Sequence, residues 1–190
     1  GGAFSARRVV ARQYGHTIFT MAASFQTPEE GLEHQTAMPD VPDPETLKSE
    51  KEWLTEIAGN VPQNARDWRN RPRPIEIRHV HPVKRFAKGI RAPHQTVWFR
   101  AAGTLPENPA LQQCVLAYAS DMTLLDTSLL PHGFTLFTPN LQLASLDHAL
   151  WFTRPVRADE WLLYVQGSPR ASGARGFHRG TVFRRDGVLV

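Results

Sequence analysis

The chain has a single cysteine, only four lysines, and no apolar run near the roughly 20 residues that a membrane-spanning helix requires. The lone Cys114 excludes an internal disulfide and any zinc site built from several cysteines, and it suits a reducing compartment. It sits in an apolar helical pattern and reads as a small core residue rather than a nucleophile. No secretory leader pattern is visible, so a cytoplasmic location is expected. The scarcity of lysine makes the net charge of +4 an arginine effect, because Lys48, Lys51, Lys84 and Lys88 are the only lysines among 22 basic residues. Arginine grips phosphate with two parallel N–H donors, so this balance fits a phosphorylated ligand, and it fits a solvated surface equally well. Nucleic acid is not expected, since the sequence has no Lys/Arg block, no zinc-finger spacing and no aromatic RNP-like motif. His79 and His81 have the one-face spacing of a strand, but no third ligand is evident, so a surface strand is expected there and no metal or cofactor.

With 190 residues, 41% of them hydrophobic, the chain can bury a real core. Its first segment reads as a hairpin, Ser5 to Arg12 and Thr17 to Phe25, joined at Tyr14-Gly15. Thr27 to Arg73 is different in kind, holding Pro28, Pro39, Pro42, Pro44, Pro62 and Pro72 among many acids, and prolines at that density mark a connector. Within it a short helix is expected from Pro44 to Ala58, capped by Thr46 or more weakly Ser49, with Leu47, Trp53, Leu54 and Ile57 as a partial stripe. The Asp67-Trp68-Arg69 piece gives no clear period, and the acids read as a solvated face. Strands follow at Ile75 to Val80 and Thr96 to Ala101, then a long helix from Asn108 to Leu125. The last strands are expected at Leu141 to Phe152, Glu160 to Gln166 and Arg175 to Arg184, closing on an Asp186-Gly187 turn. Strands, one buried helix and consecutive antiparallel strands call for an α+β layer fold.

A weak repeat links the two ends. Ser5-Ala6-Arg7, a strand, a glycine turn and Thr17-Ile18-Phe19 resemble Gly173-Ala174-Arg175, a strand, Asp186-Gly187 and Val188-Leu189-Val190. The expectation is that residues 1–27 are the last strands of a first domain, 28–73 a linker and 74–190 a second domain cut at its last strand.

In the long helix Leu111, Cys114, Val115, Tyr118, Ala119 and Met122 fall at three- and four-residue steps, and Asp121 stands at the edge of that stripe. Along Leu141 to Phe152 the apolar alternation changes phase at Ala144-Ser145, as a bulge would make it, and bulges re-aim side chains. Two readings stand at this point: Asp121 and Ser145 form a site, or Asp121 caps or pairs with an arginine while Ser145 tolerates an edge bend. Asp147 and His148 invite a triad, but strand neighbours point to opposite faces and His148, three residues from Ser145, is expected to face away from it. No Gly-x-Ser-x-Gly elbow surrounds Ser145.

Several strings carry a family resemblance: Phe4-Ser5-Ala6-Arg7-Arg8-Val9, Ala23-Ser24-Phe25-Gln26, Tyr118-Ala119-Ser120-Asp121, Leu130-Pro131-His132-Gly133, Ser145-Leu146-Asp147-His148-Ala149-Leu150-Trp151-Phe152, Glu160-Trp161-Leu162-Leu163-Tyr164 and Ala174-Arg175-Gly176. The chain resembles the acyl-CoA thioesterase II family of bacterial and peroxisomal enzymes. The resemblance implies a double hotdog, two fused copies of an antiparallel sheet wrapped around a long helix. It implies hydrolysis of medium- to long-chain acyl-CoA to fatty acid and coenzyme A without a metal, by chains that assemble as homo-oligomers. It carries a catalytic acid onto Asp121 and a hydroxyl onto Ser145, and it puts a catalytic glutamine just after the Gly187-Val188-Leu189-Val190 strand. A peroxisomal address, if the source is eukaryotic, would also lie beyond Val190.

On that resemblance the substrate falls on two surfaces. Tyr118, Met122, Leu124 and Leu125 line an acyl tunnel or simply fill the core, and Arg7, Arg8, Arg175 or Arg179 meet the phosphates of coenzyme A. His132 shapes the loop after the helix or touches substrate. The alternatives are a non-catalytic acyl-CoA or acyl-carrier binding domain, and a hotdog hydroxyacyl-thioester dehydratase, whose usual histidine the helix bearing Asp121 does not offer.

Overall fold

The computed structural model describes residues 2–56, 72–81, 89–136 and 138–190. Ile57, the Leu54 side chain and the Asp67-Trp68-Arg69 piece lie outside the described residues. The chain forms two compact units, Gly1–Gln35 and Thr36–Val190.

The first unit is one antiparallel ribbon, β1 (Phe4–Gln13) and β2 (His16–Gln26). Tyr14 and Gly15 turn the chain with φ of 50° and 80°, the paired positive angles that match the twist of a two-residue hairpin. All residues of both strands except Ala11 and Ala23 are exposed, including Phe4, Ile18, Phe19 and Phe25.

The second unit is a four-stranded antiparallel sheet in the order β3 (Ile75–His79), β4 (His94–Ala101), β5 (Leu162–Ser172) and β6 (Arg175–Arg184). One face presents Ile75, Ile77, Val97, Phe99, Leu162, Tyr164 and Val182 to α2 (Pro109–Asp121), which contributes Leu116 and Ala119. Asn108 starts that helix by accepting from the backbone N–H groups of Ala110 (3.0 Å) and Leu111 (3.2 Å), and Pro109 occupies the first turn, where a missing N–H costs nothing. The helix stops at Asp121, and Leu124–Ser128 and Leu130–His132 continue as 3₁₀ turns. The expected Asn108–Leu125 helix is therefore one turn too long.

The opposite face of the sheet, carrying Trp98, Leu163 and Phe183, is covered by Met38, Val41 and Leu47 of the proline-rich segment. The Trp98 indole N–H donates to Pro42 O at 3.0 Å, so the segment is fixed by polar as well as apolar contact. Here the helical stretch divides into a 3₁₀ turn, Pro44–Thr46, capped by Asp43, and α1 (Glu50–Glu56). Ser49 and Glu52 cap α1 reciprocally, Glu52 accepting from Ser49 N at 2.7 Å and Ser49 Oγ from Glu52 N at 3.3 Å; Thr46 does not cap it.

Three expectations are corrected. His79 does not lie on a surface strand: it is buried and meets Glu50 at 3.6 Å, Glu50 being itself a buried acid that pairs with Arg73. Leu141–Phe152 carries no β ladder among the described residues, so Ala144-Ser145 is not a bulge. Cys114 is exposed: the buried row of α2 is Gln112, Leu116, Ala119 and Ser120, so of the expected stripe Ala119, Val115 and Met122 pack on the core while Leu111, Cys114 and Tyr118 face outward.

Candidate active site

Polar side chains from the sheet and loops fix both ends of α2. At its start, Gln112 accepts from Ala158 N at 2.7 Å and donates to Pro106 O at 3.1 Å. At its end, the buried Tyr164 hydroxyl donates to Ser120 O at 3.0 Å, and Gln166 donates to the Thr123 hydroxyl. Tyr164 lies across β6 only because residue 180 is glycine: a Cβ there would stand 2.1 Å from the Tyr164 ring. Burial pushes the Tyr164 hydroxyl well above its ordinary pKa, and the negative charge of Asp121 adds to the shift, so it stays a donor. These contacts bracket Asp121 and hold its backbone.

The Asp121 side chain itself points outward, half exposed at 51%. Ser145 Oγ donates to Asp121 Oδ1 at 2.9 Å, which brings together the acid and the hydroxyl expected from sequence. His148 does not face away as expected. Its Nε2 lies 3.0 Å from Ser120 Oγ and its Nδ1 3.6 Å from the same Asp121 Oδ1. Alternation of faces applies to a paired strand, and residues 141–152 are not in one. Serine, histidine and aspartate in this order resemble a triad, yet Ser120 is only 1% exposed and its hydroxyl is also within 2.9 Å of Ala117 O, so no substrate reaches it. Ser120 carries no expectation from sequence and His148 is set aside there as facing away, although both sit inside the strings that carry Asp121 and Ser145.

The other expected residues are dispersed. Tyr118, one turn before Asp121, is 55% exposed, and Met122 is half-buried against the core. His132 is exposed in its 3₁₀ turn, and Arg175 is exposed at the start of β6. Arg7 belongs to the separate hairpin unit, where its guanidinium donates to Ala6 O at 2.8 Å. A pocket of about 370 Å³ is lined by His94, Val165, Ser168, Arg179 and Thr181, with the Arg179 guanidinium over the Phe177 ring. Among the described residues no three His, Cys, Asp or Glu side chains cluster as metal ligands, and no helix is long and apolar enough to cross a membrane.

A helix laid along one face of an antiparallel sheet is an α+β layer arrangement, and its likeness to solved structures makes it a hotdog fold. A hotdog-fold protein of unknown function from Alicyclobacillus acidocaldarius covers the whole chain and 64% of its own, with a TM-score of 0.61 at 17% identity, a likeness of fold alone. The crystal structure of an acyl-CoA thioesterase II from Mycobacterium marinum matches with a TM-score of 0.77 and 41% identity, over all of this chain and 66% of that one. The acyl-CoA thioesterase family model matches residues 64–190, and the chain belongs to that family. It is 37% identical to acyl-CoA thioesterase 2 of Haemophilus influenzae and 41% identical to acyl-coenzyme A thioesterase 8 of mouse, over its full length in each case. It spans 66% and 61% of those two relatives.

Proposed function

We propose that the protein hydrolyses medium- to long-chain acyl-CoA to a free fatty acid and coenzyme A through a water held by Asp121 and Ser145. The 2.9 Å hydrogen bond from Ser145 Oγ to Asp121 Oδ1 carries this reading. That bond uses the single hydroxyl proton of Ser145, so toward a water both Ser145 Oγ and Asp121 Oδ2 act as acceptors. A water donating one O–H to each turns its own lone pairs outward, where a thioester carbonyl can meet them. Asp121 takes the proton as the oxygen–carbon bond forms, and collapse of the tetrahedral intermediate expels the thiolate. The glutamine implied by the resemblance would supply a further hydrogen bond to that water. Ser145 is then an orienting group and no acyl-enzyme forms.

Coenzyme A brings phosphates, and Arg179, which lines an open pocket beside His94, is one of the arginines that could meet them. On the same reading the exposed hairpin β1–β2 belongs to a first hotdog copy, and such chains assemble as homo-oligomers in the cytoplasm. The proximity of His148 to Asp121 favours one second reading, hydration of an enoyl thioester, because it provides the histidine that α2 lacks.

The test is thiol release by the full-length protein from acyl-CoAs of graded length, beside Asp121→Ala and Ser145→Ala. Both variants are expected to lose turnover. Full turnover in Asp121→Ala would overturn the mechanism, and enoyl-CoA hydration without thiol release would favour the second reading.

A further inference from the structure

We propose that His148 is a positioning residue that sets the rotation of the Asp121 carboxylate. Both Ser145 Oγ and His148 Nδ1 converge on Oδ1, at 2.9 and 3.6 Å, while Oδ2 has no partner among the described residues. A carboxylate with both neighbours on one oxygen presents the other oxygen outward, which is the acceptor that the proposed water needs. The inference therefore deepens the thioesterase reading, and its consequence for rate rests on that reading.

The ring's proton follows from what each nitrogen meets. A carboxylate only accepts, so the neutral ring carries its hydrogen on Nδ1, toward Asp121. Nε2 is then a lone pair, and Ser120 Oγ, 3.0 Å away, is a hydroxyl whose proton turns from Ala117 O to meet it. Ser120 is buried and its backbone carbonyl is held by Tyr164, so it is a fixed anchor for the ring. The ring in turn sits 3.6 Å from Oδ1, just beyond hydrogen-bond reach, and a small rotation of either side chain brings Nδ1–H within it. His148 touches neither water nor thioester in this arrangement and acts through Asp121.

Two measurements test it. Long-range ¹H–¹⁵N spectra of the histidine-labelled chain, with His148 assigned through His148→Gln, are taken at a pH where the ring is neutral. The expected form is Nδ1–H, although an unconstrained histidine favours Nε2–H, and Asp121→Ala is expected to shift it back. A neutral Nε2–H ring that ignores Asp121→Ala overturns the proposal. In the thiol-release assay His148→Ala is expected to lower kcat by up to about 100-fold with KM little changed. His148→Asn, whose amide N–H replaces Nδ1–H, is expected to recover most of the loss, and equal losses in the two variants overturn the proposal. A wild-type full-length protein, carrying the glutamine implied beyond Val190, that releases no thiol from any acyl-CoA overturns the thioesterase reading instead, and the spectra then decide this one.

Discussion

The two sides of α2 do opposite work. The packed side carries Gln112, Leu116, Ala119 and Ser120, all buried, with its polar members hydrogen-bonded to the loops or to His148. The open side carries Leu111, Cys114, Tyr118 and Asp121, all exposed. One side therefore sets where the helix lies, and the other carries the proposed chemistry on a backbone that does not need it for stability. If this division is right, substitutions on one side change stability and on the other change rate.

The largest effect is expected at Asp121→Asn. Removing the proton acceptor should cost about 10²- to 10⁴-fold in kcat, while the melting temperature changes little because the side chain is half exposed. A large loss of stability in that variant would break the division. Leu116→Ala is the counterpart on the packed side: about 2–5 kcal/mol of stability should be lost in denaturant unfolding, from lost burial plus the cavity left behind. Tyr164→Phe removes the hydroxyl that holds Ser120 O and leaves that carbonyl without its sheet partner. It should cost about 1 kcal/mol of stability and also lower kcat, since the pin lies one residue from Asp121.

A fourth experiment uses pH. Burial holds the His178 ring below the usual histidine value of 6.5, with a hydrogen bond to the Leu125 backbone opposing the shift. The fold thus favours the neutral ring, so its contribution is complete above 6.5 and is lost as pH falls through the lower folded value. Unfolding followed against pH should show this fall, and His178→Gln should flatten it. The smallest effect is expected at Tyr118→Ala: stability within about 0.5 kcal/mol of wild type, with any change confined to KM for long acyl chains. A change of several kcal/mol there would mean that the open side is packed after all.

How much of this could be read from the residues differs from place to place. Tyr14-Gly15 and Asn108-Pro109 announce a turn and a helix start through backbone preferences that need no tertiary partner, and both stand where expected. The packed side of α2 was misread because a glutamine and a serine occupy it. Gln112 looks like surface until Ala158 N and Pro106 O are known to satisfy it, and a neighbouring apolar stripe then takes its place in the pattern. Leu141–Phe152 was misread for a different reason: alternation says which residues share a side, but a strand also needs a partner to bond with. His148 was placed on the wrong side by the same assumption. The meeting of Asp121 and Ser145 was legible mainly through the family strings, since residue pattern alone favoured a capping or arginine-paired acid and an edge bend.

Cys114 stands seven residues before Asp121 on that open side, two helical turns or roughly 10 Å along the axis. As the only thiol of the sequence, it offers a single attachment point for a maleimide dye that leaves the packed core untouched. A reporter tethered there would sense a ligand arriving beside Asp121 as a change in emission or anisotropy, and so would read occupancy separately from turnover.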